Sequence, residues 1–161
     1  MSITFSDNEL INIAIGIERR GVAFYEVMAR SARDNNARKV FALLADMERG
    51  HIETFQGMLR EGNRPQVAET YAGEYAAYLG ALVDSAVFTD DMASSEMATR
   101  AESDIAALEL AIAGEKDSLL FYYGMKEIMP PPAQSTVDNV INEEKLHLRQ
   151  LAELKSKLAA Q

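Results

Sequence analysis

Cysteine and tryptophan are missing from these 161 residues, proline occurs four times and histidine twice. Without cysteine there is no disulfide framework, no thiolate-held zinc or iron–sulfur cluster and no nucleophilic thiol. Any metal must therefore sit on oxygen and nitrogen donors. Positive charge is also scarce, with 16 Lys and Arg against 25 Asp and Glu and a formal net charge of −9, which argues against nucleic acid or an anionic membrane as a partner. No apolar run approaches the roughly twenty residues of a membrane span, and "MSITFSDNELINIAIGIERR" has no basic region ahead of an apolar one. These absences predict a soluble, cytoplasmic protein. The length suits a single domain, 1–161, that buries its own core without staples.

Strand signals are nearly absent. Apolar residues recur at steps of three and four through most of the chain, which predicts an all-α fold. "SDNE" offers Ser6 as N-cap and Glu9 at N3, a capping box that opens a first long helix to about Ser31. After the turn "RDNNAR" a second helix runs from about Asn36 to Glu61 and stops at "EGNRP", where Gly62 suits a C-cap and Pro65 forbids continuation. A shorter amphipathic segment covers about Glu69 to Ser85, and "FTDDMASSEMATRAES" is a polar connector. Ser103 then caps a third long helix ending near Met129. "PPP" terminates it, and a fourth runs from about Gln134 to Leu158.

Internal repetition organises these elements. "AIGIERRGVAFYEVM" (Ala14 to Met28) aligns without gaps on "AIAGEKDSLLFYYGM" (Ala111 to Met125), and Glu48-x-x-His51 matches Glu144-x-x-His147 in the helices that follow. Two αα-hairpins, about 6–61 and 103–158, joined by a crossover of about 62–102 with a short extra helix, make a four-helix bundle with a pseudo-twofold axis. The short helix carries Tyr71, Tyr75, Tyr78, Leu79 and Leu82 at helical spacing. That stripe either packs on its own bundle or joins two chains into a homodimer.

Both histidines follow a glutamate by three residues, so Glu48 and His51 leave one helix face about a turn apart, as do Glu144 and His147. Glu18 and Glu115 are the matched single carboxylates of the first and third helices, set in runs too apolar for a solvated face. One Glu from each of two helices plus Glu-x-x-His from each of the other two is the ligand inventory of di-iron and di-manganese carboxylate bundles. Four buried carboxylates cannot all ionise without cations, and two divalent ions would cancel them. The alternative is surface pairs on solvated helices, in a metal-free helical interaction module. Tyr25 and Tyr122 lie two turns beyond Glu18 and Glu115 near the same meridian. They either pack beside the site or donate to its carboxylates and supply an electron. Met28, Met47, Met58 and Met125 read as core filler. Glu53 and Glu143 read as acids of a solvated face or as partners of the imidazoles.

At these residues the sequence resembles the rubrerythrin family of the ferritin-like superfamily, over about Phe5 to Leu158. The pattern is an E…FY helix followed about thirty residues later by ExxH, twice over, and "LELAIAGEKDSLLFYY" and "INEEKLHLRQL" carry it. The resemblance implies two iron ions per chain, with manganese able to share their ligands. Glu18 and Glu115 would be terminal ligands, Glu48 and Glu144 bridges, and His51 and His147 would each complete one iron. It further implies two-electron reduction of hydrogen peroxide, with ferritin-like oxidation of ferrous iron by peroxide or oxygen for storage or delivery as the alternative. Typical members carry a cysteine-ligated rubredoxin domain, so here electrons would come from an external donor such as a rubredoxin-like protein. Typical members also carry a further glutamate three residues after the third-helix ligand, where this chain has Ser118.

Overall fold

The computed structural model describes residues 8–61, 73–90 and 101–161. Every regular element among the described residues is helical: α1 (Glu9–Ser31), α2 (Asn35–Arg60), α3 (Glu74–Asp84), α4 (Asp104–Ile128) and α5 (Pro131–Ala159). Ser6, Gly62, Pro65 and Tyr71 lie outside the described residues. Asn8 precedes α1 without capping it through its side chain.

Helix ends follow from local chemistry. Asp34, inside the expected turn, accepts from the Ala37 N–H and starts α2 at Asn35. Ser103 caps α4 as expected, accepting from the Ala106 N–H at 3.1 Å. The prolines both end α4 and begin α5, which starts at Pro131, three residues before the expected Gln134. A proline in the first turn sacrifices no hydrogen bond and arrives with its φ already helical. Asp104 ties the halves together, accepting from the Arg33 and Asp34 N–H groups at 2.7–3.1 Å.

Two apolar clusters show how the helices run. One gathers Leu10, Ile11 and Ala14 of α1, Phe55 and Met58 of α2, Tyr122, Met125 and Ile128 of α4, and Val137 and Val140 of α5. The other gathers Phe24 and Met28 of α1, Phe41 and Leu44 of α2, Leu108 and Ala111 of α4, and Leu151 and Leu154 of α5. The start of α1 thus meets the start of α5 and the ends of α2 and α4. Helices α1 and α5 run one way, α2 and α4 the other, and the crossover between α2 and α4 traverses the bundle's length. Such a long crossover is what lets α2 and α4 run parallel.

The crossover is packed down rather than draped. Leu79 is fully buried, and Tyr75, Leu82 and Val83 pack on the first cluster. The inward part of the α3 stripe is thus committed to its own bundle. Phe88, in the stretch read as a polar connector, is 8 % exposed and stacks on Phe24 with ring centroids 4.6 Å apart. Two glycines of α4 admit these groups. A Cβ on Gly114 would lie 2.3 Å from the Phe88 ring, and one on Gly124 would lie 2.7 Å from a Leu79 methyl. Val87 donates its N–H to Asp117 at 2.8 Å, and Arg20 pairs with Asp90 at 2.7 Å, fastening the segment on both sides of Phe88. Exposed apolar surface remains at Tyr78, Leu120 and Tyr123 on the outer side of α3 and α4, and at Leu43 on α2.

Candidate metal centre

Between the two apolar clusters lies a polar layer to which every long helix contributes at mid-length. Its members are Glu18, Glu48, His51, Glu115, Glu144 and His147, each no more than 3 % exposed. These are the only charged or titratable acid and imidazole groups buried in the core among the described residues. Helical geometry accounts for the placement: α2 and α5 deliver glutamate and histidine from adjacent turns of one face, while α1 and α4 each deliver one carboxylate from the facing side.

The six residues form two overlapping donor sets. Glu18, Glu48, His51 and Glu144 make one, Glu48, Glu115, Glu144 and His147 the other, and within each the donor atoms lie within 4.8 Å of one another. Glu48 and Glu144 belong to both. Each imidazole turns Nδ1 inward. His51 Nδ1 lies 2.9 Å from Glu48 and 3.4 Å from both Glu18 and Glu144; His147 Nδ1 lies 3.1 Å from Glu144 and 3.7 Å from both Glu48 and Glu115. The two rings are nearly parallel, with centroids 5.5 Å apart.

Tyr25 and Tyr122 complete the layer by crossing it. Tyr25 of α1 donates its hydroxyl to Glu115 of α4, and Tyr122 of α4 donates to Glu18 of α1. Both are fully buried, Tyr25 in one apolar cluster and Tyr122 in the other, so one phenol approaches the carboxylates from each end. Seven residues along a helix carry a tyrosine about two turns away from its own glutamate, which places it beside the glutamate of the antiparallel partner instead.

The metal-free electrostatics are those of a site that retains protons. Burial, then repulsion by Glu144, Glu18 and Glu115, pushes the Glu48 carboxyl well above its ordinary range. Burial and Glu144 push Glu115 up to about 8. Burial opposes charging of His147, but hydrogen bonding to Glu115 and Glu144 outweighs it and raises the imidazole to about 9. His51 is likewise raised, the Glu144, Glu18 and Glu48 carboxylates prevailing over burial. Glu144 goes the other way: burial and Glu18 raise it, and the neighbouring Glu115, His147 and His51 side chains bring it below the usual carboxylate range. Burial, with Glu115 for Tyr25 and Glu18 for Tyr122, holds both phenols protonated.

Protons neutralise this cluster only partly by hydrogen bonding. Glu144 Oε1 is buried with no hydrogen-bond partner among the described residues. An orphaned carboxylate oxygen at the centre of two all-oxygen-and-nitrogen donor sets is poorly served by protons and well served by a divalent cation. The residues present therefore fit a pair of divalent metals.

Glu143 takes the second of its two expected roles, that of an imidazole partner, whereas the burial of Phe88 escaped the sequence reading. Glu143, on a half-solvated face, reaches from α5 to His51 Nε2 at 2.8 Å. Ser118 and Phe88 line one narrow side groove with Ile17, Arg20, Leu82 and Phe121, a cavity of about 20 Å³ between α1, α4 and the crossover.

Comparison with known proteins places this geometry. Residues 9–155 match the rubrerythrin family. A solved structure from Thermotoga maritima, described as that of a ferritin-like diiron-carboxylate protein, is 31 % identical over 94 % of this chain and 95 % of its own, with a TM-score of 0.68. No curated protein matches significantly. The fold is thus a ferritin-like four-helix bundle, and with the family match running through all four long helices and both Glu-x-x-His pairs, the chain belongs to the rubrerythrin family.

Proposed function

We propose that this protein holds two iron ions and reduces hydrogen peroxide to water with two electrons from an external donor protein. The observation that carries the reading is the sharing of Glu48 and Glu144 between two four-residue donor sets, since shared carboxylates hold two cations side by side. His51 and Glu18 would serve one ion and His147 and Glu115 the other. The bound pair would supply two electrons at once, so that the O–O bond breaks without releasing a radical.

The chain's own residues do the rest. Reducing one peroxide to two waters takes up two protons. Tyr25 and Tyr122 hold hydroxyl protons on Glu115 and Glu18, at the edge of the cluster. The apolar clusters on either side exclude bulk water and keep the charged groups in a low-dielectric setting, which strengthens every interaction between them. Phe24, Phe41 and Phe88 around Tyr25, and Phe55 and Phe121 around Tyr122, hold the phenols in place.

Anaerobic loading with ferrous iron, followed by stopped-flow mixing with peroxide or with oxygen, tests the reading. Oxidation much faster with peroxide, repeated over many cycles when a reduced rubredoxin-like donor is present, is the expected result. Equal rates with oxygen, followed by release or mineral growth of ferric iron, would replace it with iron storage or delivery.

A further inference from the structure

The repeat relates the two donor sets, yet the outer nitrogens of their imidazoles are not treated alike. His51 presents Nδ1 to the carboxylates and Nε2 to Glu143 at 2.8 Å. His147 also presents Nδ1 to the carboxylates, but its Nε2 is buried and has no hydrogen-bond partner among the described residues. The reason lies in one residue. The position that the repeat matches to Glu143 is Met47, and a thioether cannot replace a carboxylate as acceptor for an N–H.

We infer that Glu143 is a positioning residue that makes the two metal positions unequal, with the one served by His51 the tighter. This rests on the two-metal reading above. A neutral imidazole has a single N–H, so Nδ1 can offer its lone pair to a cation only when Nε2 carries the proton. Glu143 accepts that proton's hydrogen bond, fixing both the tautomer and the ring plane and making Nδ1 a better donor. At His147 the same tautomer leaves a buried N–H without an acceptor, and only packing holds the ring. Glu143 is half exposed, with 51 % of its side chain accessible. It keeps much of its hydration and lies outside both donor sets, acting through His51 alone.

The test is titration of the metal-stripped full chain with Mn(II) alone, the free ion being counted by electron paramagnetic resonance. The wild-type chain should take up two ions in two unequal steps. Glu143→Ala should weaken the tighter step by about 10- to 100-fold, the usual cost of removing such a partner, and leave the weaker step in place. Glu143→Gln, whose amide oxygen still accepts from Nε2, should restore part of the loss, and Met47→Glu should tighten the weaker step. In a His51→Ala background, Glu143→Ala should change nothing further. Two equal steps in the wild-type chain, or an equal loss from both steps in Glu143→Ala, would overturn the inference while leaving the two-metal reading standing. Failure of the folded wild-type chain to bind any Mn(II) or ferrous iron would instead remove the two-metal reading, and this inference with it.

Discussion

Replacing Tyr25 with phenylalanine removes one hydroxyl and very little else. The ring is fully buried, stacked on Phe41 with centroids 6.1 Å apart and edge-on to Phe24 at 5.4 Å, so a phenyl group retains these contacts. What is lost is the hydrogen bond to Glu115. Its worth depends on the charge of its acceptor. In the metal-free protein at neutral pH the Glu115 carboxyl, pushed up to about 8, keeps its proton, and a bond between neutral groups contributes about 0.5 to 1.5 kcal/mol. In the metal-loaded protein of the proposed function the same group would be an ionised ligand, and the bond would be worth about 1.5 to 3 kcal/mol. For a chain of this size each kcal/mol moves the melting temperature by roughly 2 to 4 °C. The Tyr25→Phe variant should therefore lose more thermal stability loaded than stripped, by several degrees. Calorimetry of both forms at pH 7, with metal content measured in parallel, reads the difference. If the phenol also delivers a proton in turnover, peroxide reduction falls by about 10²- to 10⁴-fold at full metal occupancy. Equal losses of melting temperature in the two forms would refute the assignment of Glu115 as a metal-ionised acceptor.

Glu144→Ala should reduce metal content at both positions, whereas His51→Ala should empty mainly one, as elemental analysis of the purified variants would record. Gly114→Ala brings a methyl within 2.3 Å of the Phe88 ring and should cost about 1 to 3 kcal/mol in chemical denaturation; in a Phe88→Ala background the same change should be nearly free. In the metal-free protein Glu115 and His147 are raised from ordinary values of 4.5 and 6.5 to about 8 and about 9. Folding thus favours both protonated forms, and their stabilisation is complete below the ordinary values and lost as pH climbs through 8 and 9. Melting temperature of the stripped chain should fall between pH 7 and pH 10, more steeply than that of the loaded chain, where cations have already displaced these protons; parallel slopes would contradict this.

The six-residue layer was legible in the sequence because its signal is local. Glu-x-x-His needs only the 3.6-residue turn to bring two donors to one face, and the doubled pattern then dictates which helices must face each other. The destination of each tyrosine was less legible. Spacing from Glu18 put Tyr25 near one meridian, but its acceptor, Glu115, is 90 residues away and is chosen by the antiparallel pairing of α1 with α4. Phe88 was hidden for a different reason. A lone aromatic among Asp, Ser and Thr has no periodicity to read, and its burial becomes visible only when Gly114 is seen to leave room for the ring.

Departures from the repeat also have a common logic. Gly114 and Gly124 of α4 occupy the positions of Ile17 and Val27 in α1, and both face the crossover, which packs on α4 through Phe88, Leu79 and Tyr78. A duplicated pair of hairpins with one connecting segment cannot stay symmetric on its outside, because that segment lies along one face and has no counterpart on the other. The inner layer has no such demand and retains its matched Glu, His and Tyr. Gly21, the counterpart of Ser118, sits where a Cβ would touch Glu48 Cγ at 3.4 Å, ordinary van der Waals contact, so an alanine just fits and a longer side chain would press on the shared carboxylate. Gly21→Leu is accordingly expected to disturb metal uptake through Glu48, while Ser118→Ala, in the side groove beneath the crossover, is expected to leave it intact. Metal stoichiometry of the two variants after identical loading decides the matter, and a loss confined to Ser118→Ala would show that the groove, rather than the α1 face, controls the bridging glutamate.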